Sequence, residues 1–129
     1  MRLLLDTHAL LWWATLHPNL SPKAKSAIGD DASEVYVSAA SAWEIATKVR
    51  LGKLEWPEEA GSLNSYALGQ GFRSLPISLE HAQRAGRLPM AHRDPFDRIL
   101  VAQAIVGDLT LITADQAVLA APRVTTLAW

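Results

Sequence analysis

Three observations place this chain in the α/β class, as a parallel sheet covered on both faces by helices. Short Leu-rich or β-branched runs recur along its 129 residues. Nearly every such run is followed by a stretch of helical length, often opened by a capping residue. No repeat, low-complexity tract or linker interrupts the alternation.

The elements follow in order. "RLLLD" (2–6) reads as a buried strand and "THALLWWATL" as a helix with Thr7 available to cap it. In "LSPKAKSAIGDD", Ser21 and Pro22 form a cap and first-turn pair that opens a second helix. "EVYVS" (34–38) alternates and is β-branched, a strand pattern. "AASAWEIATKVRLGKL" reads as a helix ended by Gly52, and "PEEAGSLNSYALGQGF" as a helix from Pro57 to Gly71. "RSLPIS" is a weak strand, and "SLEHAQRAGRL" a short helix capped by Ser78. The last third runs helix ("DPFDRILVAQAIVGD"), strand ("LTLIT"), short helix ("ADQAVLA") and terminal strand ("VTTLAW").

Half of the residues are apolar, enough for one domain over 1–129 with a real core. A net charge of −1 removes the simplest signature of nucleic-acid binding, a strongly basic domain, while leaving room for a local basic patch. The absence of cysteine excludes disulfide frameworks and thiolate metal sites. The apolar run before Asp6 is too short for a signal segment, and no stretch approaches a membrane span. A soluble, cytoplasmic protein is the expectation.

In open parallel sheets, sites collect at the carboxyl ends of the strands. The residues there are Asp6 and Thr7, Ser38, and Thr113 followed by Asp115. If the first strand and "LTLIT" are neighbours, Asp6 and Asp115 reach the same edge. Glu44, early in the helix after "EVYVS", can point back to it, and Asp97 lies in the first turn of "DPFDR". Clustered carboxylates repel one another, and a hard divalent cation such as Mg²⁺ or Mn²⁺ relieves the repulsion. A carboxylate-held cation of that kind usually serves phosphate chemistry.

Each acid also has an ordinary explanation. Asp6 and Asp115 suit helix starts, Asp97 suits a first turn, and Glu44 precedes Lys48 by four residues, a favourable surface pair. Asp94 directly precedes Pro95, so it reads as an N-cap first and an outer residue of the site second. The functional case therefore lies in the set.

On "LLLDTHALLWW", "VSAASAWEIATKVRLGKL", "HRDPFDRILVAQAIVGDLTLITAD" and "VTTLAW", the chain resembles the PIN-domain family, and within it the VapC-like toxins of bacterial toxin–antitoxin pairs. The resemblance implies a three-layer α/β/α nuclease with a central parallel sheet. It implies Mg²⁺- or Mn²⁺-dependent RNA cleavage, with Asp6, Glu44 and Asp97 holding the metal and Asp115 completing the site. Thr7 and Thr113 match positions where the family often carries a hydroxyl. A homodimer and a VapB-like antitoxin partner are implied in the same way.

An RNA substrate calls for cations near its phosphates. The candidates are His8, Lys48, Arg50, His92, Arg93 and Arg98, with Arg93 and Arg98 first because they flank the acidic motif. Five Trp is a high number for this length. Trp12 and Trp13 are adjacent and cannot share one helical face, so one is expected in the core and the other in a surface groove. Trp43 is expected in the core, and Trp56 beside a hydrophobic groove. An aspartate-nucleophile phosphatase is disfavoured because His8 breaks the DxD pattern, and a receiver domain because no Lys follows Arg98. A PIN-like module that binds RNA or docks a protein without catalysis is the non-enzymatic alternative.

Overall fold

A computed structural model describes residues 1–90, 94–119 and 125–127. Five strands, β1 (Arg2–Leu5), β2 (Glu34–Ser38), β3 (Arg73–Leu75), β4 (Thr110–Ile112) and β5 (Thr125–Leu127), form one sheet in the order β3-β2-β1-β4-β5. Every pairing is parallel. The helices are α1 (Thr7–Ala14), α2 (Pro22–Gly29), α3 (Ala39–Arg50), α4 (Leu63–Gly69), α5 (Leu79–Arg87), α6 (Pro95–Gly107) and α7 (Gln116–Leu119). This is the three-layer α/β/α arrangement expected from the alternation.

Period-two alternation splits β1 between two cores. Leu3 and Leu5 join Val35, Val37, Ile112 and the apolar faces of α1, α2 and α4 on one side of the sheet. Leu4 points the other way, into Leu111, Leu100, Val101 and Ala104. All three leucines are fully buried, as central parallel strands covered on both faces require. β1 is central, with β2 and β3 on one side and β4 and β5 on the other, so the strand order reverses direction between β1 and β4. A crevice opens at such a point beyond the carboxyl ends of the strands.

Most expected boundaries hold. Ser21 accepts from Ala24 N at 3.1 Å with Pro22 at the first turn of α2. Ser78 opens α5 with a reciprocal bond to His81, and Gly52, at φ +71°, follows the end of α3. Two expectations are corrected. The cap of α1 is Asp6, whose Oδ1 accepts from Ala9 N at 2.7 Å, and Thr7 is the first helical residue. The helix expected from Pro57 to Gly71 is two pieces, a 3₁₀ turn (Glu58–Ala60) and then α4. Gly61 at φ +71° breaks the helical path, a conformation glycine adopts without strain, and Ser62 restarts it by capping Ser65 N. The expected terminal strand is seen as β5; its residues 124, 128 and 129, and Ala120 of the helix before it, lie outside the described residues. Among the described residues no helix is long and apolar enough to cross a membrane.

Candidate functional site: an acidic cavity beyond β1 and β4

β1 and β4 are paired with Leu5 opposite Ile112, and Asp6 N donates to Ile112 O at 3.0 Å. The segments leaving these two strands therefore start side by side. Asp6, Thr7, His8, Glu44, Lys48, Asp94, Asp97, Ala114 and Asp115 line one cavity of about 320 Å³. The four expected acids, contributed by four separate segments, are thus brought together, and Asp94 joins them.

Their ordinary roles are present as well. Asp6 caps α1. Asp94 Oδ1 accepts from Phe96 N at 2.9 Å at the head of α6, and Asp115 Oδ1 accepts from Val118 N at 3.1 Å ahead of α7. Capping and clustering are compatible because a carboxylate has two oxygens and about four acceptor sites. Thr113 Oγ1 accepts from Asp115 N at 3.1 Å, bracing the turn after β4. Ser38 caps α3 through Ala40 N at 3.0 Å.

Glu44 departs from its ordinary explanation as a surface pair. The pair with Lys48 exists, Oε2 to Nζ at 2.6 Å, but the Glu44 side chain is only 5% exposed, so this is not a surface pair. Thr7 donates its single hydroxyl proton to Glu44 Oε1 at 2.6 Å, and Ser41 Oγ lies 3.1 Å from the same Thr7 oxygen. Asp6 is also buried, at 6% exposed, as are Thr7 and Ser41. Ser41 was not among the sequence candidates. Its spacing of three residues from Glu44 on one helix face is the signal that reveals it.

The electrostatics are lopsided, with five carboxylates facing one ammonium. Contact with Glu44 holds the Lys48 pKa above its usual value against the cost of burial, and the fields of Asp94 and Asp97 add to the effect. A buried carboxylate is expensive without compensation, and one lysine does not balance five. The donors are oxygens of the kind hard divalent cations prefer, so the residue set suits Mg²⁺ or Mn²⁺. Among the described residues, no group of three or more His, Asp or Glu side chains stands close enough together to hold a metal ion. Both Glu44 oxygens are engaged, one by Thr7 and one by Lys48.

The expected RNA-contacting cations separate. His8 and Lys48 line the cavity, whereas Arg50 is exposed on the last turn of α3 and is not part of its lining. Arg98 is corrected. Its guanidinium donates to the carbonyls of Ala85 (3.0 Å), Met90 (2.9 Å) and Leu88 (2.9 Å), tying the end of α5 to α6. His92 and Arg93 lie outside the described residues.

Two tryptophan expectations also change. Trp43 is 65% exposed and packs edge-on against Phe96 with ring centroids 5.1 Å apart, so it is not a core residue. The reason is local: Glu44 and Ala40 take the inward positions of α3, leaving Trp43 to face outward. Trp12 and Trp13 are both half-buried and line the same groove. Trp56 packs against Tyr66 at 5.5 Å and borders a cavity with Leu54, Pro57 and Glu58.

The PIN domain family model matches residues 3–124. Ribonuclease VapC22 of Mycobacterium tuberculosis is 31% identical over 121 residues, which cover 88% of this chain and 86% of that protein. Ribonuclease VapC16 of the same organism is 39% identical over 75 residues, 55% of this chain and 52% of that protein, so the chain spans about half of that relative. Among solved structures, VapBC2 from Rickettsia felis bound to a promoter DNA fragment superposes with a TM-score of 0.72 at 14% identity, over 100% of this chain and 99% of that one. FitAcB from Neisseria gonorrhoeae gives 0.65 at 23% identity over 97% and 96%. At these identities the structures establish a shared fold.

Proposed function

The chain belongs to the PIN domain family, and from that premise we propose that it is a metal-dependent endoribonuclease, one nuclease domain spanning 1–129, acting as the toxin of a toxin–antitoxin pair. The observation that carries the reading is the acidic cavity, in which Asp6, Glu44, Asp97 and Asp115 meet from four segments at the strand-order switch point. The names of the relatives, Ribonuclease VapC22 and VapC16, support the same chemistry.

In this reading Asp6, Glu44, Asp97 and Asp115 hold Mg²⁺ or Mn²⁺. A bound ion there would supply an activated water and a positive charge to offset that building on the phosphodiester. The chain's own work is positioning. Thr7 fixes Glu44 through Oε1, and the α1 cap fixes Asp6 against the end of β1. Asp94 serves from outside this set, as the cap that starts α6 and places Asp97 one turn in.

The partner we propose is a VapB-like antitoxin, supported by neighbours solved as VapBC from Rickettsia felis and Salmonella typhimurium, together with a second copy of the chain as a homodimer. The aromatic groove of Trp12, Trp13, Leu16 and Tyr66 offers the apolar lining that a helix-in-groove partner uses.

The test is cleavage of a broad RNA panel by purified protein with Mg²⁺ or Mn²⁺ and with EDTA. Cleavage that requires the added ion is expected. Cleavage undiminished by EDTA contradicts the metal role, and folded protein that neither binds Mn²⁺ nor cleaves any RNA favours the non-catalytic module.

A further inference from the structure

An acidic cavity presents a difficulty for a phosphodiester, which is itself an anion. Five carboxylates line it, and a single divalent ion leaves them in excess. Some cation of the chain must meet the RNA strand, and Lys48 is the one Lys or Arg lining the cavity among the described residues.

Its present position is a holding position. Nζ rests on Glu44 Oε2 at 2.6 Å, yet the side chain is 36% exposed while Glu44 is 5% exposed. The ammonium thus reaches the cavity from its open side, on a flexible four-carbon stem with three donors. Glu44 does not depend on it alone, because Thr7 holds the other oxygen. A cation sharing Glu44 repels the ammonium, which is then available to a phosphate oxygen nearby.

We propose that Lys48 is a catalytic residue whose ammonium exchanges Glu44 for a phosphate oxygen of the RNA strand in the cavity. This rests on the ribonuclease reading and names a contact within it. Lys48 keeps the acids apart from one another's repulsion before the ion arrives, then supplies the positive charge that the entering phosphate lacks.

The experiment compares wild type, K48M and K48R. The affinity for a single-stranded RNA oligonucleotide is measured over a salt series, with Ca²⁺ replacing Mn²⁺ to limit cleavage. Mn²⁺ binding without RNA is measured by calorimetry, and cleavage rates are measured with Mn²⁺. K48M should bind RNA more weakly, with a slope of log K against log salt shallower by about 0.7, the value of one phosphate contact on a single strand. K48R should keep the slope. K48M should bind Mn²⁺ at least as tightly as wild type, since a neighbouring positive charge is gone, and should cleave about a hundredfold more slowly. Where K48M does not fold, K48Q is expected to show the same slope.

An unchanged slope in folded K48M or K48Q overturns the contact, and so does lost Mn²⁺ binding, which would make Lys48 only a prop for Glu44. If wild type binds RNA and K48M shows the shallower slope, but neither cleaves, the ribonuclease reading fails while the contact stands. If wild type binds no RNA, both fail.

Discussion

Two cavities of this protein each enclose about 320 Å³ and have opposite chemistry. The aromatic groove is lined by Trp12, Trp13, Ala14, Leu16, Leu20, Lys25, Tyr66 and Gln70. Most of these are near neighbours in sequence, and the groove is an edge of the hydrophobic core. The acidic cavity draws on four distant segments: the pairing of β1 with β4 sets Asp6 beside Asp115, and the packing of α3 against α6 brings up Glu44 and Asp97. The aromatic groove follows from burial, which stabilises the fold. The acidic cavity gathers like charges, which opposes folding. A feature that works against stability and is nevertheless assembled by the whole topology points to function.

The comparison breaks most visibly if each cavity is altered alone. Asp97→Asn should reduce metal-dependent cleavage about a thousandfold, the several kcal/mol that a bound metal contributes to a transition state. The same variant should raise the melting temperature of the metal-free chain, because repulsion is relieved; scanning calorimetry beside the cleavage assay checks both. A fall in melting temperature would mean that the cavity is not electrostatically strained.

Trp13→Ala should do the reverse. Trp13 is half-buried, packs 6.4 Å from Phe72 and donates Nε1 to Gln70 at 2.9 Å. Its truncation should cost about 2 to 3 kcal/mol in urea unfolding, somewhat under the range for fully buried aromatics. Cleavage per folded molecule should be unchanged.

Thr7→Val sharpens the contrast, because it affects both quantities modestly. Removing the donor to Glu44 Oε1 leaves a buried acceptor unpaired, which costs about 1 to 3 kcal/mol of stability. Loss of the group that orients a ligand should slow cleavage about 10- to 100-fold, measurable in single-turnover assays.

The smallest effect concerns pH. Burial raises the Tyr66 pKa above its ordinary value of 10.0. A phenol whose folded pKa exceeds its unfolded one contributes stability that is fully present below the unfolded value and is lost as pH rises through the folded one. Stability should therefore decline above about pH 10, and Tyr66→Phe should flatten that decline in alkaline denaturation.

Much of this was legible in the sequence, for identifiable reasons. Strand and helix boundaries with dedicated signals, such as Ser21–Pro22, Ser78 and Asp94–Pro95, can be read locally. The meeting of Asp6 with Asp115 needed one inference, that β1 and β4 are adjacent, and their parallel pairing supplies it. The errors arise where a residue's role is decided by which side chains and carbonyls surround it in the fold. Arg98 looks like a phosphate contact beside acidic residues, but three carbonyls around the end of α5 claim it. Trp43 looks like core because it is large and apolar, yet α3 turns Glu44 inward and leaves Trp43 at the surface. Ser41 is easily passed over because its one signal, a spacing of three residues from Glu44, gains meaning only when Thr7 is seen beside both.

The most direct test of the central claim is Asp6→Asn, assayed for Mn²⁺ binding, RNA cleavage and thermal stability together. Asparagine caps a helix about as well as aspartate, so the bond to Ala9 N and the fold should survive while the charge is removed. Metal-free stability at or above that of wild type, with weakened Mn²⁺ binding and lost cleavage, is the predicted result. Full cleavage by a folded Asp6→Asn chain would show that Asp6 is a helix cap alone and that the acidic cavity is not a nuclease site.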